Sequence, residues 1–406
     1  MAQLRRRFGA TIAIALTSVL VASPALAEGP DTTRPTATLT APTTAGPFRL
    51  ADLGVTVLAQ DETGLERVVA NVYQGTTLVR SAQVAANGAT EWTFTPTYTL
   101  PDGAYTLRYN AADTSGNIST TRTHDFTIDN TAPTLTIKPE SIGPVNGRYR
   151  EISFKLFDKD KIDKVVLNGV TTDLSNNVWS DLNNVRPGRY GAVEGSNTIV
   201  LHDVAGNTTS LTFILDVTGP AITIKPESLG GGGIFREISL KLFDAADVDK
   251  VIINGVTKDL TNSPWSDVNF MAPGTFGAVE GLNTLVAYDG LGNTSTFTFA
   301  LDITPPTVTV KPEMTVTGEG GYESVSFKLY DLYKIDRVVI NGVVKDLSNN
   351  QWSDVNGIVP GMFGAVLGEN TMVVYDVAGN ATTVTFTLVT PVATEGPTTP
   401  GSTEGP

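Results

Sequence analysis

The sequence has no cysteine and only two histidines, His124 and His202, among its 406 residues. Without disulfides, an exported chain of this size has to be held together by hydrophobic cores or by metal ions. The positions that match His202 in two later copies of the surrounding pattern carry Tyr288 and Tyr375, which suits packing or surface positions better than a general base. We therefore expect no enzyme active site, and an unrecognised extracellular hydrolase stays an alternative.

Long apolar runs are also scarce. The run at the N-terminus, Ile12 to Val21, is shorter than the ~20 residues that a membrane-spanning helix needs. It follows Arg5-Arg6-Arg7 and precedes the small-residue pattern Ala25-Leu26-Ala27. These features predict a signal peptide over residues 1–27, and hence a secreted chain with no membrane insertion.

Positive charge is in deficit as well. The whole chain has a net charge of −14, and without the three arginines of the signal peptide 25 basic residues stand against 42 acidic ones, a net charge of −17. Such a surface repels nucleic acid and anionic envelope polymers. We expect no nucleic-acid partner, no organic cofactor and a monomeric chain.

The most informative feature is a pattern that occurs three times, 86 and 87 residues apart. Its last copy begins at Trp352-Ser-Asp, continues through Phe363-Gly-Ala-Val and ends at Asp376-Val-Ala-Gly-Asn380. A period of this length corresponds to whole domains. The predicted organisation is a signal peptide at 1–27, a leader at 28–33, a divergent domain at 34–130, repeats at 131–217, 218–303 and 304–389, and a disordered Thr/Pro/Gly/Glu tail at 390–406.

The sequence of each module predicts a series of short strands. In the first repeat, Glu151–Phe157, Lys164–Leu167 and Thr198–His202 are rich in β-branched and aromatic residues, and Asn168-Gly169 is typical of a tight turn between strands. No segment has a convincing helical period. The pattern predicts an all-β fold in which each module is a sandwich of seven strands in two sheets.

One stretch of the last module resembles a known family. Residues 368–380, Gly-Glu-Asn-Thr-Met-Val-Val-Tyr-Asp-Val-Ala-Gly-Asn, resemble the last hairpin of bacterial immunoglobulin-like domains, and the Asp-x-Thr-x-Pro joints at Asp129, Asp216 and Asp302 resemble that family's boundaries. The resemblance implies four tandem immunoglobulin-like β-sandwich domains in an extended arrangement. It also implies a secreted or surface protein, such as an adhesin stalk or a module beside a secreted enzyme, and no common catalytic site.

Aspartates recur where such domains would meet. In an immunoglobulin-like sandwich the second and sixth strands run in the same direction, so an aspartate ending each of them lies at the pole that faces the preceding domain. The joint aspartate of that preceding domain arrives at the same pole, and three carboxylates could hold Ca²⁺. The alternative is that each aspartate accepts backbone N–H bonds in a turn. The candidate calcium ligands are Asp129, Asp158, Asp203, Asp216, Asp244, Asp289, Asp302, Asp331 and Asp376.

A tryptophan opens the repeated pattern in each copy, at Trp179, Trp265 and Trp352. Two interpretations are open for these side chains. Each packs in the core, or partly buried beside it, in a sandwich that lacks a disulfide, or each is an exposed platform on which a sugar ring stacks. We therefore expect binding or adhesion at the cell surface or in the extracellular matrix, with a glycan or a protein as partner; the alternative is a passive spacer or an accessory module of a secreted enzyme.

Overall fold

The computed structural model describes residues 29–312, 315–316 and 320–390. The predicted signal peptide and residues 391–406 of the predicted tail lie outside the described residues. The regular secondary structure of the described part comprises β-strands and one short 3-10 helix, Leu50–Asp52, and this confirms the predicted all-β class. It contains no helix long and apolar enough to cross a membrane. The chain divides into two compact units, one of residues 29–131 and 205–207 and the other of the remaining described residues.

The first unit is a sandwich of two sheets. One sheet has the strand order β1-β2-β5 and the other the order β4-β3-β6-β7. Side chains alternate along the strands, so that Val57 from the first sheet and Val72 and Leu107 from the second are fully buried in one core. The strands are β1 Thr36–Ala41, β2 Thr56–Gln60, β3 Leu65–Gln74, β4 Thr77–Ala85, β5 Glu91–Phe94, β6 Gly103–Asp113 and β7 Arg122–Ile128.

The second unit contains three six-stranded sheets, one for each repeat, and each encloses its own hydrophobic core. The first comprises β8 Thr134–Ile137, β9 Arg148–Tyr149, β10 Ile152–Leu167, β11 Val170–Val185, β12 Gly195–Asp203 and β13 Thr208–Leu215. The second comprises β14 Ala221–Ile224, β15 Leu229–Gly231, β16 Ile234–Ile253, β17 Val256–Met271, β18 Gly281–Asp289 and β19 Thr294–Leu301. The third comprises β20 Thr307–Val310, β21 Thr315–Val316, β22 Tyr322–Ile340, β23 Val343–Ile358, β24 Gly368–Asp376 and β25 Ala381–Leu388.

The long strand β16 shows how one sheet closes around a core. Its pairing with β17 is interrupted between Phe243 and Val248, where Asp247 adopts a positive φ of 63°. Before this break β16 pairs with β14, and after it β16 pairs with β18, while β17 accompanies it on both sides. Buried side chains from the two halves, such as Leu240 and Val251, meet in one core. This differs from the prediction of seven strands in two sheets, because β16 and β17 run through the corner instead of ending there.

The same corner occurs in β10 and β22, where Lys161 and Lys334 have positive φ angles of 82° and 86°. The predicted domain boundaries stay predictions. What the sheets establish is that each repeat has one strand that turns a corner, and that an aspartate stands just before each corner at Asp158, Asp244 and Asp331.

Candidate metal centres and an exposed aromatic groove

The corner of the long strand places the first aspartate of each candidate centre. Asp244 and Asp331 are buried there, 6% and 4% exposed. The Oδ1 atom of Asp244 accepts the Ala246 N–H at 2.7 Å, and the Oδ1 atom of Asp331 accepts the Tyr333 N–H at 2.7 Å. The interpretation of these residues as turn aspartates therefore holds for one carboxylate oxygen of each.

The second aspartate is the last residue of the neighbouring strand. Asp289 ends β18 opposite Val248, just past the corner, and Asp376 ends β24 in the same way. Both carboxylates are clamped by the asparagine four residues later. The Oδ2 atom of Asp376 accepts the Asn380 Nδ2–H at 2.8 Å, and Asn293 makes the matching bond to Asp289 at 2.7 Å.

The third aspartate comes from the preceding repeat. Asp216 and Asp302 follow its last strand, where their backbone N–H groups donate to the carbonyls of Tyr149 and Phe235 at 2.9 Å. The clamping asparagines of the next repeat also reach these joints. Asn293 donates to the Asp216 carbonyl at 3.0 Å, and Asn380 donates to the Asp302 carbonyl at 2.9 Å.

The structure therefore assembles two triplets at the junctions within the second unit. Asp216, Asp244 and Asp289 form one, and Asp302, Asp331 and Asp376 form the other; all six residues are buried, and within each triplet the potential ligand atoms lie within 4.8 Å of one another. At that separation two ionised carboxylates repel by roughly 3 kcal/mol for an effective dielectric constant of about 20. Three of them need a cation or a proton to compensate this charge.

The second triplet has the less compensated charge. The Oδ2 atom of Asp302 is buried without a hydrogen-bond partner, and burial together with the charges of Asp331, Asp376 and Glu280 raises the pKa of Asp302 to about 7. Burial also raises the pKa values of Asp331 and Asp376. A cavity of about 230 Å³ opens onto Asp302 and Asp331, which leaves room for an ion and water beside them.

An arginine approaches the first triplet. Arg148 Nε lies 3.6 Å from Asp216 Oδ2. Its charge lowers the pKa of Asp244, although burial dominates and raises that pKa to about 6. The two triplets thus have aspartates at equivalent positions of the repeat but different electrostatic surroundings.

The remaining predicted ligands are placed as follows. Asp158 lies buried at the corner of β10 and Asp203 is the buried last residue of β12, both in the second unit. Burial is the main reason that the pKa of Asp158 is raised, and the charge of Asp203 adds to it. Asp129 belongs to the first unit, where it is buried after β7 and its backbone N–H donates to the Phe48 carbonyl at 2.9 Å.

The structure also assembles a triplet in the first unit whose leader aspartate, Asp31, was not predicted as a ligand. Asp31, Asp61 and Asp113 of the first unit bring ligand atoms within 4.8 Å of one another, and the Oδ2 atom of Asp61 is buried without a partner. The signal was present in the leader, because Asp31-Thr-Thr-Arg-Pro35 repeats the Asp-x-Thr-x-Pro pattern of the later joints. The leader thus supplies the aspartate that the end of a preceding repeat supplies elsewhere.

The three tryptophans do not belong to the cores. Trp179, Trp265 and Trp352 are 54%, 54% and 55% exposed on the outer face of the sheet, so the interpretation as core anchors is wrong. Each lies opposite an aromatic residue of the long strand. The ring centroids of Trp265 and Phe243 are 4.2 Å apart, and those of Trp352 and Tyr330 are also 4.2 Å apart.

A polar row continues from each tryptophan along the same face. In the second repeat Lys241 Nζ lies 4.2 Å from the Trp265 ring centroid, and Lys225 Nζ lies 3.4 Å from Asp267 Oδ2 and 2.8 Å from Asn269 Oδ1. An open groove of about 520 Å³ contains Lys241, Trp265, Ser266 and Asp267 among its lining residues. The third repeat has a groove of about 510 Å³ lined by the equivalent Lys328, Trp352, Ser353 and Asp354.

Comparisons with known proteins agree with the sequence-based resemblance. Residues 56–130 match the family model Big_13, described as a bacterial Ig-like domain, and the resemblance to this family is thereby confirmed. No curated protein matches the chain.

Among solved structures, the chain is similar to a tetra-tandem repeat in the extending region of a large adhesion protein, with 15% identity, coverage of 88% of this chain and 100% of the other, and a TM-score of 0.23. It is similar to fibronectin(III)-like modules of Clostridium thermocellum CbhA, with 17% identity, coverage of 44% and 94%, and a TM-score of 0.25. It is also similar to SGBP-B of a Bacteroides ovatus mixed-linkage glucan utilization locus, solved with a mixed-linkage heptasaccharide, with 12% identity, coverage of 81% and 93%, and a TM-score of 0.16. No functional conclusion follows from TM-scores this low.

Proposed function

We propose that this chain is a non-catalytic, secreted repeat protein of immunoglobulin-like domains whose junctions are held by calcium ions, and that it serves adhesion or presentation at the bacterial surface. The match of residues 56–130 to a bacterial Ig-like domain and the signal-peptide pattern of residues 1–27 support this setting. The observation that carries the proposal is the buried Asp302 Oδ2 atom, which lacks a partner in a triplet of aspartates.

The electrostatics of the Asp302 triplet favour a bound cation. Within the described residues none of Asp302, Asp331 and Asp376 forms an ion pair, and the neighbouring Glu280 adds to their negative charge. A buried carboxylate without compensation loses its hydration and gains only repulsion, which costs several kcal/mol. A divalent cation between the three carboxylates removes both costs at neutral pH.

The donor set favours calcium over other metals. Every candidate ligand in the two junction triplets is a carboxylate oxygen, and histidine and cysteine contribute none. Hard oxygen ligands suit Ca²⁺ and Mg²⁺, whereas zinc and copper prefer nitrogen or sulfur. Calcium accepts six to eight ligands in variable geometry, so three carboxylates supplemented by loop carbonyls and water are a better match for it than for octahedral Mg²⁺.

Calcium at these positions would couple the end of one repeat to the start of the next. Asp302 belongs to the joint after β19, while Asp331 and Asp376 come from the strands of the third repeat. An ion bound by all three restricts rotation about the joint Asp302–Pro306. Such a junction lets a chain without cysteine transmit force and present its surfaces at a fixed spacing.

Isothermal titration with CaCl₂ of the secreted chain, stripped of metal, tests the proposal. Asp331→Asn keeps the shape of the side chain and removes one ligand charge from the Asp302 centre. We expect the wild-type chain to bind calcium and the variant to lose one binding event per chain, with faster amide hydrogen exchange at residues 302–306 in calcium. Titration with MgCl₂ is expected to give much weaker binding.

Asp346→Asn is the matched control. Asp346 is exposed on β23 of the same repeat, so its substitution changes the net charge equally without touching the triplet. The proposal is wrong if wild-type chain releases no heat with calcium, or if Asp331→Asn and Asp346→Asn have the same stoichiometry as wild type.

A further inference from the structure

We infer that the exposed tryptophan and the polar row beside it bind a neutral polysaccharide, with one site per repeat. This inference concerns the outer face of the sheets and goes beyond the proposed calcium junctions. It is carried by three observations: the exposure of the tryptophan rings, the fixed polar row beside them, and the recurrence of both in every repeat.

The tryptophan is held in place although it is exposed. Trp179, Trp265 and Trp352 lie directly opposite Phe157, Phe243 and Tyr330, with ring centroids 4.1 to 4.2 Å apart and planes tilted by 40° to 42°. An aromatic pair of this kind contributes about 0.5–1.5 kcal/mol beyond area burial. The ring is thereby oriented before any ligand arrives, which reduces the entropy lost on binding.

The ring surface can be made available to a ligand. Lys155, Lys241 and Lys328 place their Nζ atoms 4.5, 4.2 and 4.4 Å from the ring centroids. An exposed cation–π contact of this kind contributes only about 0.5–1 kcal/mol. The flexible ammonium group can therefore move from the ring and donate hydrogen bonds to a hydroxyl group, while the C–H face of a pyranose ring takes its place.

The polar row supplies oriented donors and acceptors next to the ring. In the first repeat Trp179, Asp181 and Asn183 lie at alternate positions of β11 and hence on one face. Lys138 Nζ is 3.4 Å from Asp181 Oδ2 and 2.9 Å from Asn183 Oδ1. The third repeat has the same arrangement, with Lys311 Nζ 2.9 Å from both Asp354 Oδ2 and Asn356 Oδ1.

The dimensions and charge of this row identify the class of ligand. From Trp179 to Asn183 the strand advances by about 13 Å, which is longer than a single sugar ring, so an oligomeric ligand matches it better than a monosaccharide. Lysines and aspartates line the two grooves in equal number, two of each in the second repeat and one of each in the third, so the grooves have no net charge to attract an ionic polymer. The acidic chain as a whole repels anionic polymers, and a neutral polysaccharide remains as the matching partner.

Repetition makes weak sites useful. An exposed tryptophan with a polar row recurs in each of three repeats. One long polymer can therefore contact several sites of the same chain, and the second contact is then intramolecular. Loss of one tryptophan should weaken binding modestly, while loss of all three should abolish it.

Affinity electrophoresis tests the inference with the complete secreted chain in native gels that contain a soluble neutral glucan, mannan or galactan. The variant carries Trp179→Leu, Trp265→Leu and Trp352→Leu, which keep an apolar contact to the opposite aromatic ring but remove the flat surface. We expect at least one neutral polysaccharide to retard wild type, and the triple variant to lose at least tenfold in affinity. Quenching of tryptophan fluorescence by the same polymer gives a second readout.

The control variant carries Val193→Ala, Val279→Ala and Val366→Ala. These valines are 51%, 52% and 52% exposed, once in each repeat, and lie outside the residues that form the row. Circular dichroism and the melting midpoint verify that both variants fold. The inference is overturned if no neutral polysaccharide retards wild type, if both triple variants bind as wild type does, or if only an anionic polymer or a protein binds.

The outcome is separable from that of the calcium proposal. Asp331→Asn removes a calcium ligand and leaves all three tryptophans, whereas the triple tryptophan variant leaves every junction aspartate. If polysaccharide retards the wild-type chain but not the triple tryptophan variant, polysaccharide binding is supported even when the titration shows no heat of calcium binding. A heat of calcium binding without retardation supports only the junction proposal.

Discussion

The two junction triplets of the second unit are built from equivalent aspartates and differ in their neighbours, among them an arginine. At the first junction Arg148 Nε lies 3.6 Å from Asp216 Oδ2. Arg148 pairs with the last strand of its repeat just before Tyr149, whose carbonyl accepts the joint N–H. At the second junction the residue at the corresponding position, before Phe235, is Ile234. A repeated sequence has thus placed an arginine at one joint and an apolar residue at the other.

This difference shows that the aspartates alone do not set the character of a junction. With a guanidinium beside it, the first triplet has part of its charge balanced within the protein, and the charge of Arg148 lowers the pKa of Asp244 against the larger effect of burial. Without one, the pKa of Asp302 is raised to about 7. The second junction therefore depends more on a proton or a metal ion, and we expect it to be the tighter calcium site.

The largest expected effect is the pH dependence of the metal-free chain. The groups that face Asp302 are Asp331, Asp376, Glu280 and Tyr333. The folded chain holds a proton on Asp302 from about pH 4 to about pH 7, where an unfolded aspartate has lost it, so stability falls as the pH rises through this window and stays low above it. Melting of metal-stripped chain at about pH 5 and about pH 8 should show the lower midpoint at the higher pH.

Calcium should reverse this trend, because it binds the deprotonated carboxylates and so stabilises the chain most at the higher pH. Asp302→Asn is the control that removes this titrating group and should reduce the dependence, while Asp244, with its pKa raised to about 6, retains part of it. A metal-free midpoint that rises between about pH 5 and about pH 8 would contradict the account of the second junction.

A smaller effect is expected from the asparagine clamp. Asn380→Ala removes the hydrogen bonds to the Asp302 carbonyl and to Asp376 Oδ2, and buried acceptors left unpaired cost about 1–3 kcal/mol. Asn293→Ala makes the same change at the junction that has Arg148, and we expect the smaller loss there. Hydrogen exchange in metal-free buffer at residues 376–381 and 289–294 measures the two changes separately. Equal acceleration in both segments would show that the arginine does not matter for the clamp.

Much of the junction geometry was accessible from the sequence. The pairing of a strand-end aspartate with a joint aspartate was predicted from the direction of strands in a sandwich, and the structure places Asp302, Asp331 and Asp376 together. Whether they bind calcium stays a prediction. The corner at Lys334 was not foreseen, because a positive φ at a lysine has no signature in composition or alternation. Arg148 was missed for a related reason, since its partner Asp216 lies 68 positions away and only the register of β9 with β13 brings them together.

The tryptophans show where the sequence alone left two alternatives open. A large aromatic residue in a module without disulfides is usually needed in the core. Here Leu242 and Leu329 supply the buried side chains of the corner strands, and the tryptophan lies on the opposite face. Strand alternation indicates two faces but cannot tell which one is buried when aromatic residues occur on both.

The smallest expected effect comes from exchanging Arg148 and its counterpart Ile234 between the two junctions. Ile234→Arg should place a guanidinium beside Asp302, as Arg148 lies beside Asp216, and weaken calcium binding there by about tenfold, equivalent to about 1.4 kcal/mol. Titrating this variant in a chain that also carries Asp289→Asn removes a ligand from the first junction, and amide hydrogen exchange at residues 302–306 in calcium assigns the change to the second. Val256→Arg adds the same charge at an exposed position of the same repeat and should leave the affinity unchanged.

Arg148→Ile should have the opposite effect and strengthen calcium binding at Asp216. If neither exchange alters calcium binding, the arginine is a packing residue, and the difference between the junctions has to come from the cavity beside Asp302 and Asp331.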